Sequence, residues 1–422
     1  MNDEIKNEPK IRFKGYTEEW GQRKISDLIQ SMHGGASIAP NDYKENGVPT
    51  VPKGAINSIG IADLSGSKYV SKEFFKKKIS SRVYSGELVT SLRDLVPTAP
   101  NIGRIVKLKG QDDQYLMPQG VYSLILNVGV DENFLISISN SNKYRKIISQ
   151  EKNGSTQVHI RNADYLGISL NVPNNEEQNR IGTFFKQLDD TIALRQREFD
   201  LLKQTKQTYL KKMFSKTGED RPEVYFAGFT EAWEQSKLSN FLTPSNEKNK
   251  TGEYDQGDIL AASLGTELVS KYIFFGLHST EESVKNYRVV NPGDVIYTKS
   301  PIKGYPNGII RTNKGETGIV PSLYCVYHNF PVINPNLIQT YFEDKYRLNA
   351  YLYPLVNVGA RNNVNITDSG FLEGDISIPR NVEEQSKIVD FFDQLNNTIT
   401  LHQRELDSLK EMKKSLLQQM FV

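Results

Sequence analysis

The sequence predicts an α+β protein in which one plan occurs twice, a globular domain followed by a long helix. Three observations support this prediction. A long helical segment is repeated, a shorter segment that opens each half is repeated, and the stretches between them mix short β-rich runs with helical spacing. We expect two related globular domains, separated by two long helices that pack as an antiparallel coiled coil.

The two long segments are residues 176–214 and 383–421, offset by 207 positions and identical at 21 of 39 positions. Apolar residues recur at alternating spacings of four and three, which is typical of a heptad seam. At about 1.5 Å per residue, each helix would be about 58 Å long. The residues predicted to pack in these seams are Ile181, Phe185, Leu188, Ile192, Phe199 and Leu202, with Ile388, Phe392, Leu395, Ile399, Leu406 and Leu409.

Basic residues interrupt both seams at equivalent places, Arg195 and His402, then Lys206 and Lys413. Such side chains either fix the register of a coiled coil or extend to its edge. Two similar seams in one chain can satisfy each other by folding back antiparallel. The alternative is that they join separate copies of the chain.

The opening segment "PKIRFKGYTEEWGQRKISD" at 9–27 matches "PEVYFAGFTEAWEQSKLSN" at 222–240, and similar tails precede both helices. The predicted boundaries follow from these repeats. They are an N-terminal segment 1–20, a first domain 21–173, a central helix 174–216, a linker 217–233 that repeats the N-terminal segment, a second domain 234–379 and a second helix 380–422.

Composition narrows the class of protein. The single cysteine, Cys325, excludes an intrachain disulfide and fits a reducing cytoplasm. The sequence has no long apolar run and begins without an apolar leader, so we expect neither a membrane span nor a signal peptide. The five histidines lack ligand spacing, which argues against a zinc site.

Catalytic motifs are also missing from the sequence. It contains no GxxxxGK[ST] phosphate loop, no GxGxxG fingerprint, no GxSxG elbow and no [ND]PP[YF] methyltransferase motif. We therefore expect a binding or scaffolding protein, not an enzyme.

Two binding domains held apart by long helices suit duplex DNA, whose paired half-sites commonly lie about 34–36 Å apart. Polar and basic loop residues are the groups that contact bases and phosphates. Any soluble domain also exposes such loops. Net charge does little to identify a DNA-binding domain, because 21–172 contains 19 basic and 13 acidic residues but 234–378 contains 13 and 15. The candidate DNA-binding residues are Ser91, Arg93, Arg145, Ser155, Gln157, His159, Arg161, Lys299, Lys303, Tyr305, Arg361, Asn362 and Asn363.

The layout resembles the specificity subunit of type I restriction–modification systems over nearly the whole chain. The resemblance rests on the paired "EEQ…I..FF.QL" helices, on Pro173 and Pro379 ahead of them, and on the FxGxTExW motif that opens each half. It implies that the globular domains are target recognition domains, each reading one half of a bipartite, asymmetric DNA site. The long helices would set the gap between half-sites and dock other subunits.

The resemblance also implies partners and cofactors. Two methyltransferase subunits would use S-adenosylmethionine, and two restriction and translocase subunits would use ATP and Mg, while this chain binds no cofactor, metal or membrane and works in the cytoplasm. Two other interpretations remain open. One is a coiled-coil adaptor without sequence-specific DNA binding, and the other is a fused nuclease or methyltransferase.

Overall fold

The structure, a computed structural model, describes residues 8–216, 218–263, 268–270, 280–302, 304–358 and 364–422. The chain forms two compact units, which we call unit 1 (Met1–Arg197 with Arg404–Val422) and unit 2 (Glu198–Gln403). Each unit therefore contains one globular domain and parts of both long helices. Within the described ranges, no helix is both long and apolar enough to cross a membrane.

Unit 1 begins with a series of short strands and helices. The strands are β1 Gly21–Lys24, β2 Ile29–Gly34, β3 Tyr43–Lys44, β4 Val48–Pro49, β5 Tyr69–Val70, β6 Arg82–Tyr84, β7 Leu88–Ser91, β8 Arg93–Asp94, β9 Ile105–Lys107, β10 Gln114–Leu116, β11 Val121–Leu126, β12 Val158–His159 and β13 Ser169–Val172. The helices are α1 Ile25–Leu28, α2 Lys72–Lys77, α3 Glu132–Ser139, α4 Asn142–Glu151, α5 Asn162–Gly167 and the first long helix, α6 Asn175–Lys212, which continues into unit 2.

Unit 2 repeats much of this order. Its strands are β14 Glu234–Lys237, β15 Leu242–Ser245, β16 Leu260–Ala261, β17 Val269–Ser270, β18 Arg288–Val290, β19 Val295–Thr298, β20 Ile310–Thr312, β21 Gly318–Val320, β22 Tyr324–Asn329, β23 Asn357–Val358, β24 Val364–Asn365 and β25 Asp375–Ile378. Its helices are α7 Glu281–Val284, α8 Pro335–Phe342, α9 Lys345–Leu352, α10 Asp368–Phe371 and the second long helix, α11 Val382–Gln419, which continues into unit 1.

The sheets show that the repeat extends to topology. Unit 1 has an antiparallel sheet in the order β2-β11-β7-β9, and unit 2 has the matching order β15-β22-β19-β20. In both units the first strand pairs with the strand just before a long helix, β1 with β13 and β14 with β25. Each domain is thus closed by its own first and last strands, which brings the opening segment close to the start of the long helix that follows.

The long helices complete the core of both units. In unit 1, the Phe185 ring of the first long helix lies 5.7 Å from Phe421, two residues beyond the end of the second. In unit 2, Phe214, two residues beyond the end of the first, lies 6.2 Å from Phe392 of the second. The start of one long helix therefore contacts the end of the other within each unit. The predicted seam residues are buried at Ile181, Phe185, Leu188, Phe199, Ile388, Phe392 and Leu406, and half-buried at Ile192, Leu202, Leu395, Ile399 and Leu409.

The two lysines that interrupt the seams both form ion pairs. Lys413 pairs with Asp189 of the first long helix in unit 1. Lys206 pairs with Glu343, the residue that follows α8, in unit 2. The two partners differ because the counterpart of Asp189 in the second long helix is the uncharged Asn396. These lysines are thus paired with carboxylates instead of extending to solvent.

A second difference between the units concerns a buried glutamate at the start of each long helix. Glu177 is fully buried and accepts two hydrogen bonds of 2.8 Å from the guanidinium of Arg12. At the counterpart of Arg12 the chain has Tyr225, and Glu384 accepts a hydrogen bond of 3.2 Å from Trp233 Nε1 instead. Each carboxylate is satisfied by the opening segment of its own unit, as a buried charge requires.

Candidate nucleic-acid interface

A surface cavity of about 450 Å³ in unit 1 brings together four of the predicted DNA-binding residues, Ser91, Arg93, Gln157 and His159. The pairing of β8 with β12 explains why, since it places Arg93 directly opposite His159 in the register. Two loops that lie more than sixty positions apart in the sequence therefore form one site. Leu95, the acidic Asp94 and the polar residues Lys53, Asn101 and Gln119 also line it.

Arg93 is an exposed cation of this cavity. Its side chain is exposed, and its aliphatic part lies over Gly120, whose φ is +97°. A Cβ at Gly120 would lie 3.1 Å from Arg93 Cδ, so the glycine leaves room for the arginine stem. Within the described ranges, the Arg93 guanidinium makes no side-chain hydrogen bond or ion pair. The group can therefore bind a phosphate or a base edge without losing an internal contact.

Ser91 supports the cavity from beneath instead of facing outward. Its hydroxyl donates to the carbonyls of Arg93 at 2.8 Å and Gly120 at 3.2 Å, and it accepts from the Arg93 amide at 3.3 Å. Ser91 is 6% exposed. The sequence marked it as a contact residue because of its hydroxyl, yet the fold uses that hydroxyl to fix the turn that presents Arg93.

Arg145 also has a different environment from the one expected of a DNA contact. Its guanidinium donates to the carbonyls of Ile102 at 2.6 Å and Pro100 at 3.1 Å. Burial lowers the pKa of Arg145, and burial together with the charge of Arg145 lowers the pKa of the neighbouring Arg104 to about 10. Both arginines bind the backbone of the same loop, which gives Arg145 a structural role.

Two further candidates, Ser155 and Arg161, lie on or just after a hairpin beside the cavity, which also carries Gln157. Asn153 and His159 exchange backbone hydrogen bonds of 2.8 and 2.9 Å, which leaves Ser155 and Gln157 exposed at the tip. Arg161 follows the hairpin and forms an exposed ion pair of 2.7 Å with Asp164. An exposed pair of this kind contributes little to stability, so it leaves the arginine able to exchange partners.

Unit 2 places its described candidates in internal contacts. Lys299 lies 3.4 Å from a carboxylate oxygen of Asp368, which also pairs with Arg288 and accepts from the Cys325 thiol at 3.0 Å. Burial alone would raise the pKa of Asp368, but the bonds from Cys325 and Arg288 outweigh it and lower the pKa. Tyr305 donates from its hydroxyl to the Glu343 carbonyl at 3.2 Å. The remaining candidates, Lys303, Arg361, Asn362 and Asn363, lie outside the described residues.

Sequence reasoning missed Lys53, Asn101 and Gln119, because nothing in their local pattern marks them as neighbours of Arg93. A run of lysines on and after α2 was also not predicted as a binding surface. Lys72, Lys76 and Lys77 belong to α2 and are exposed, and Lys78 follows them. Across the described part of the chain, no cluster of three or more His, Cys, Asp or Glu residues could hold a metal ion.

A second candidate surface is repeated on the two long helices. Gln187, Thr191 and Leu194 are exposed on the first, and the identical residues Gln394, Thr398 and Leu401 are exposed on the second. Spacings of four and three place each set on one face. Leu194 is 54% exposed and Leu401 56%. An outward-facing leucine at the same place in both copies makes no contribution to the core, so this stripe suits a partner that binds twice.

Comparison with known proteins decides the family. The pattern of the "Type I restriction modification DNA specificity domain" matches the chain twice, at residues 17–204 and 231–411. The chain belongs to this family. Each match takes in one globular domain together with most of the long helix that follows it. The repeat inferred from the sequence is therefore a repeat of the specificity domain, and the family assignment supports a role in DNA specificity.

Two relatives from Methanocaldococcus jannaschii are similar to the chain. The type I restriction enzyme MjaVIII specificity subunit is 24% identical over 195 residues, which cover 45% of this chain and 44% of that relative. The putative type I restriction enzyme MjaX specificity subunit is 21% identical over 422 residues, which cover 95% of this chain and 92% of that relative. The first match thus spans less than half of that relative, and the second spans nearly all of its relative.

A solved structure shares the fold. The crystal structure of the S subunit of a type I restriction–modification system from M. genitalium superposes with a TM-score of 0.60 at 11% identity. The superposition covers 98% of this chain and 99% of that one. At this level of identity the similarity concerns the fold alone.

Proposed function

We propose that this chain is the specificity subunit of a type I restriction–modification complex. It recognises a bipartite, asymmetric DNA site, each domain reads one half-site, and the chain assembles methyltransferase and restriction subunits around that site. The observation that carries the proposal is the double match to the specificity domain, because two different domains on one plan suit two different half-sites. We propose 21–173 and 234–379 as the two recognition domains, the first containing β1 to β13 and the second β14 to β25.

The contacts between the two long helices favour a further part of the proposal, that the helices set the gap between the half-sites. The pairs Phe185 with Phe421 and Phe214 with Phe392 join the start of one long helix to the residues just beyond the end of the other, as expected for an antiparallel coiled coil. Such a coil of fixed length would hold the half-sites at a fixed gap.

We further propose that the chain itself is non-catalytic, as specificity subunits of this family generally are, and that it carries no cofactor. Two methyltransferase subunits would supply S-adenosylmethionine chemistry and two restriction subunits would supply ATP- and Mg-dependent translocation and cleavage, all in the cytoplasm.

Genome-wide mapping of methylated adenine by long-read sequencing tests the proposal. Cells that carry this gene and its methyltransferase partner should show a bipartite motif, methylated once on each strand, that disappears when this gene is deleted. Replacing residues 21–173 by the first domain of another family member should change one half of the motif only. The absence of any gene-dependent motif would favour the adaptor interpretation. A change in both halves of the motif would contradict the proposal that each domain reads one half-site.

The cavity of unit 1 gives a prediction at the level of one residue. Arg93→Ala should weaken binding of the cognate duplex by about 1–3 kcal/mol if the guanidinium contacts a base, because a bidentate contact is lost. A phosphate contact would instead lower the salt dependence of binding by about one ion. Fluorescence anisotropy over a series of salt concentrations measures both quantities.

The matched control for Arg93 is Arg23→Ala, which removes the same charge from an exposed position on β1, a strand whose partner is β13. Its effect on affinity should be small. If Arg93→Ala and Arg23→Ala lowered the affinity for the duplex equally, the cavity would make no specific contact with it.

The repeated stripe gives a second prediction. Leu194→Asp and Leu401→Asp should each weaken recruitment of one methyltransferase subunit at least tenfold, because burying a leucine contributes about 1.5–3 kcal/mol and a buried unpaired carboxylate is unfavourable. Native mass spectrometry of the copurified complex would show one methyltransferase bound for each single variant and none for the double variant.

The neighbouring positions provide the control for the stripe. Ala193→Asp and Thr400→Asp add the same charge to exposed sites one residue away, where the two helices are not identical. These variants should keep both methyltransferase subunits. Full recruitment by the double variant Leu194→Asp, Leu401→Asp would show that the stripe is not the docking surface.

A further inference from the structure

The rim of the cavity in unit 1 carries an exposed apolar tip. Leu95 lines the cavity and is 64% exposed, and the adjacent Val96 is 46% exposed. The tip immediately follows Arg93 and Asp94 of β8. Two neighbouring apolar side chains at the mouth of a polar cavity do not stabilise the fold. Burying them against a partner would contribute hydrophobic free energy that their exposure to water withholds.

Cations donate hydrogen bonds to the backbone carbonyls of the loop that bears this tip. Lys152 Nζ donates to the Pro97 carbonyl at 3.3 Å, and Arg104 Nε donates to the Pro100 carbonyl at 3.0 Å. Arg145 binds the carbonyls of Pro100 and Ile102. Within the tip, the Val96 amide donates to Asp94 Oδ1 at 3.2 Å. Hydrogen bonds therefore hold the loop backbone at Val96 and again from Pro97 to Ile102.

The backbone of this loop also stores strain. Ala99 has a φ of +44°, although it is not a glycine, and it is 2% exposed. Among the described residues it is the one non-glycine with a positive φ. Such a conformation costs about 1–3 kcal/mol and persists only where the surroundings enforce it. Here Ala99 is buried, and its carbonyl accepts a hydrogen bond of 3.5 Å from the Arg145 guanidinium.

The charges around the tip select its occupant. Arg93 and Lys53 lie on the same cavity, together with the donor-bearing side chains of Gln157 and His159. The one carboxylate in its lining, Asp94, already accepts a hydrogen bond from the Val96 amide. A protein surface covering the tip would have to satisfy these cations and donors, whereas duplex DNA offers phosphates for the cations and an apolar stack of bases for the leucine. Apolar side chains that enter between base pairs beside basic residues are a known means of kinking a duplex.

We propose that Leu95 and Val96 form an apolar wedge that enters a base step of the half-site bound by unit 1 and unstacks it. This inference rests on the proposed function, since it requires that unit 1 bind DNA. Arg145, Arg104 and Lys152 are then positioning residues, which hold the wedge through the loop carbonyls. Specificity at that step would come from the ease of unstacking, so the half-site should contain a flexible pyrimidine–purine step there.

The test uses the full chain, copurified with its methyltransferase, and the half-site found by methylation mapping. 2-Aminopurine, whose fluorescence rises when it is unstacked, replaces one base at a time, always away from the methylated adenine. We expect the complex to raise the fluorescence severalfold at one step. The double variant Leu95→Ser, Val96→Ser should lose that rise and bind the duplex at least tenfold more weakly, whereas Leu95→Met should keep both properties.

Two controls separate the wedge from a general effect of exposed apolar surface and from a contact with a thymine methyl group. Val128→Ser removes a fully exposed apolar side chain beyond the Leu126 end of β11, whereas the cavity lies at its Val121 end, and this variant should behave as the parent. Duplexes with uracil in place of thymine lack the methyl group. If they bind as weakly as the double serine variant binds normal DNA, the tip contacts a methyl group and the wedge is refuted.

The outcomes also distinguish the wedge from the proposed function. If no gene-dependent methylation motif exists, the proposed function fails. If the motif exists but no position of its first half brightens, or if the double serine variant brightens as the parent does, the wedge alone fails. Because Leu95 and Val96 are exposed, the serine substitutions remove no core contact, and an unchanged melting temperature will confirm that the variant is folded.

Discussion

Replacing Phe421 by alanine is expected to destabilise unit 1 by about 3–5 kcal/mol, the usual cost of removing a buried aromatic ring. Phe421 is 3% exposed. Its ring centroid lies 5.7 Å from Phe134, 5.7 Å from Phe185 and 6.3 Å from Trp20. These three rings come from the globular domain, the first long helix and the opening segment. One side chain just beyond the end of the second long helix therefore joins three parts of the unit, and its removal would leave a cavity among them.

The two tryptophans of the chain make this prediction measurable, because Trp20 lies in unit 1 and Trp233 in unit 2. In a Trp233→Phe background, Trp20 fluorescence should report a lower urea midpoint for Phe421→Ala. The matched variant is Phe214→Ala, since Phe214 occupies the same position in unit 2, 6.0 Å from Trp233. In a Trp20→Phe background it should lower the midpoint reported by Trp233. An unchanged Trp20 midpoint for Phe421→Ala would contradict the proposed role of this ring.

The sequence could predict this core in part. The "MF" pair that ends each repeated segment and the apolar spacing before it mark Phe214 and Phe421 as apolar-face residues. Periodicity shows which side of a helix is apolar, but not what covers it. That Phe421 packs in unit 1, beside a domain encoded some three hundred residues earlier, depends on the tertiary fold. The same limit explains why Lys206 and Lys413 could not be assigned carboxylate partners from their spacing.

The candidate site was predictable to a similar degree. Arg93, Gln157 and His159 were selected for side-chain chemistry, and the β8–β12 pairing unites them. Ser91 and Arg145 were selected by the same criterion, yet both are used inside the protein. A hydroxyl or guanidinium has the same appearance in the sequence whether it faces solvent or a backbone carbonyl. Burial decides between the two, and burial is set by residues distant in the chain.

Gly182→Ala is the second substitution with a large expected effect. It should lower the stability of unit 1, whereas helix propensity alone predicts that it raises stability. Alanine in place of glycine inside a helix ordinarily stabilises it by about 1 kcal/mol. At Gly182, however, a Cβ would lie 2.0 Å from Asp131 Oδ1 and 2.6 Å from the Phe134 amide nitrogen. Asp131 is the N-cap of α3, and its Oδ1 accepts from the Phe134 amide at 2.7 Å. The glycine thus allows the start of α3 to touch the first long helix.

We expect Gly182→Ala to destabilise unit 1 by about 1–3 kcal/mol, as overpacking commonly does, and Gly182→Val to cost more. The Trp20 signal in urea measures both. Gly167→Ala is the control, because a Cβ there meets no atom within 4 Å and should be neutral or slightly stabilising. The second long helix has Val389 at the equivalent position, 3% exposed in the core of unit 2. A stabilising effect of Gly182→Ala would mean that α3 can move away from the helix. A loss of stability would show that the two halves of the repeat, although alike in topology, have fixed different distances between domain and helix.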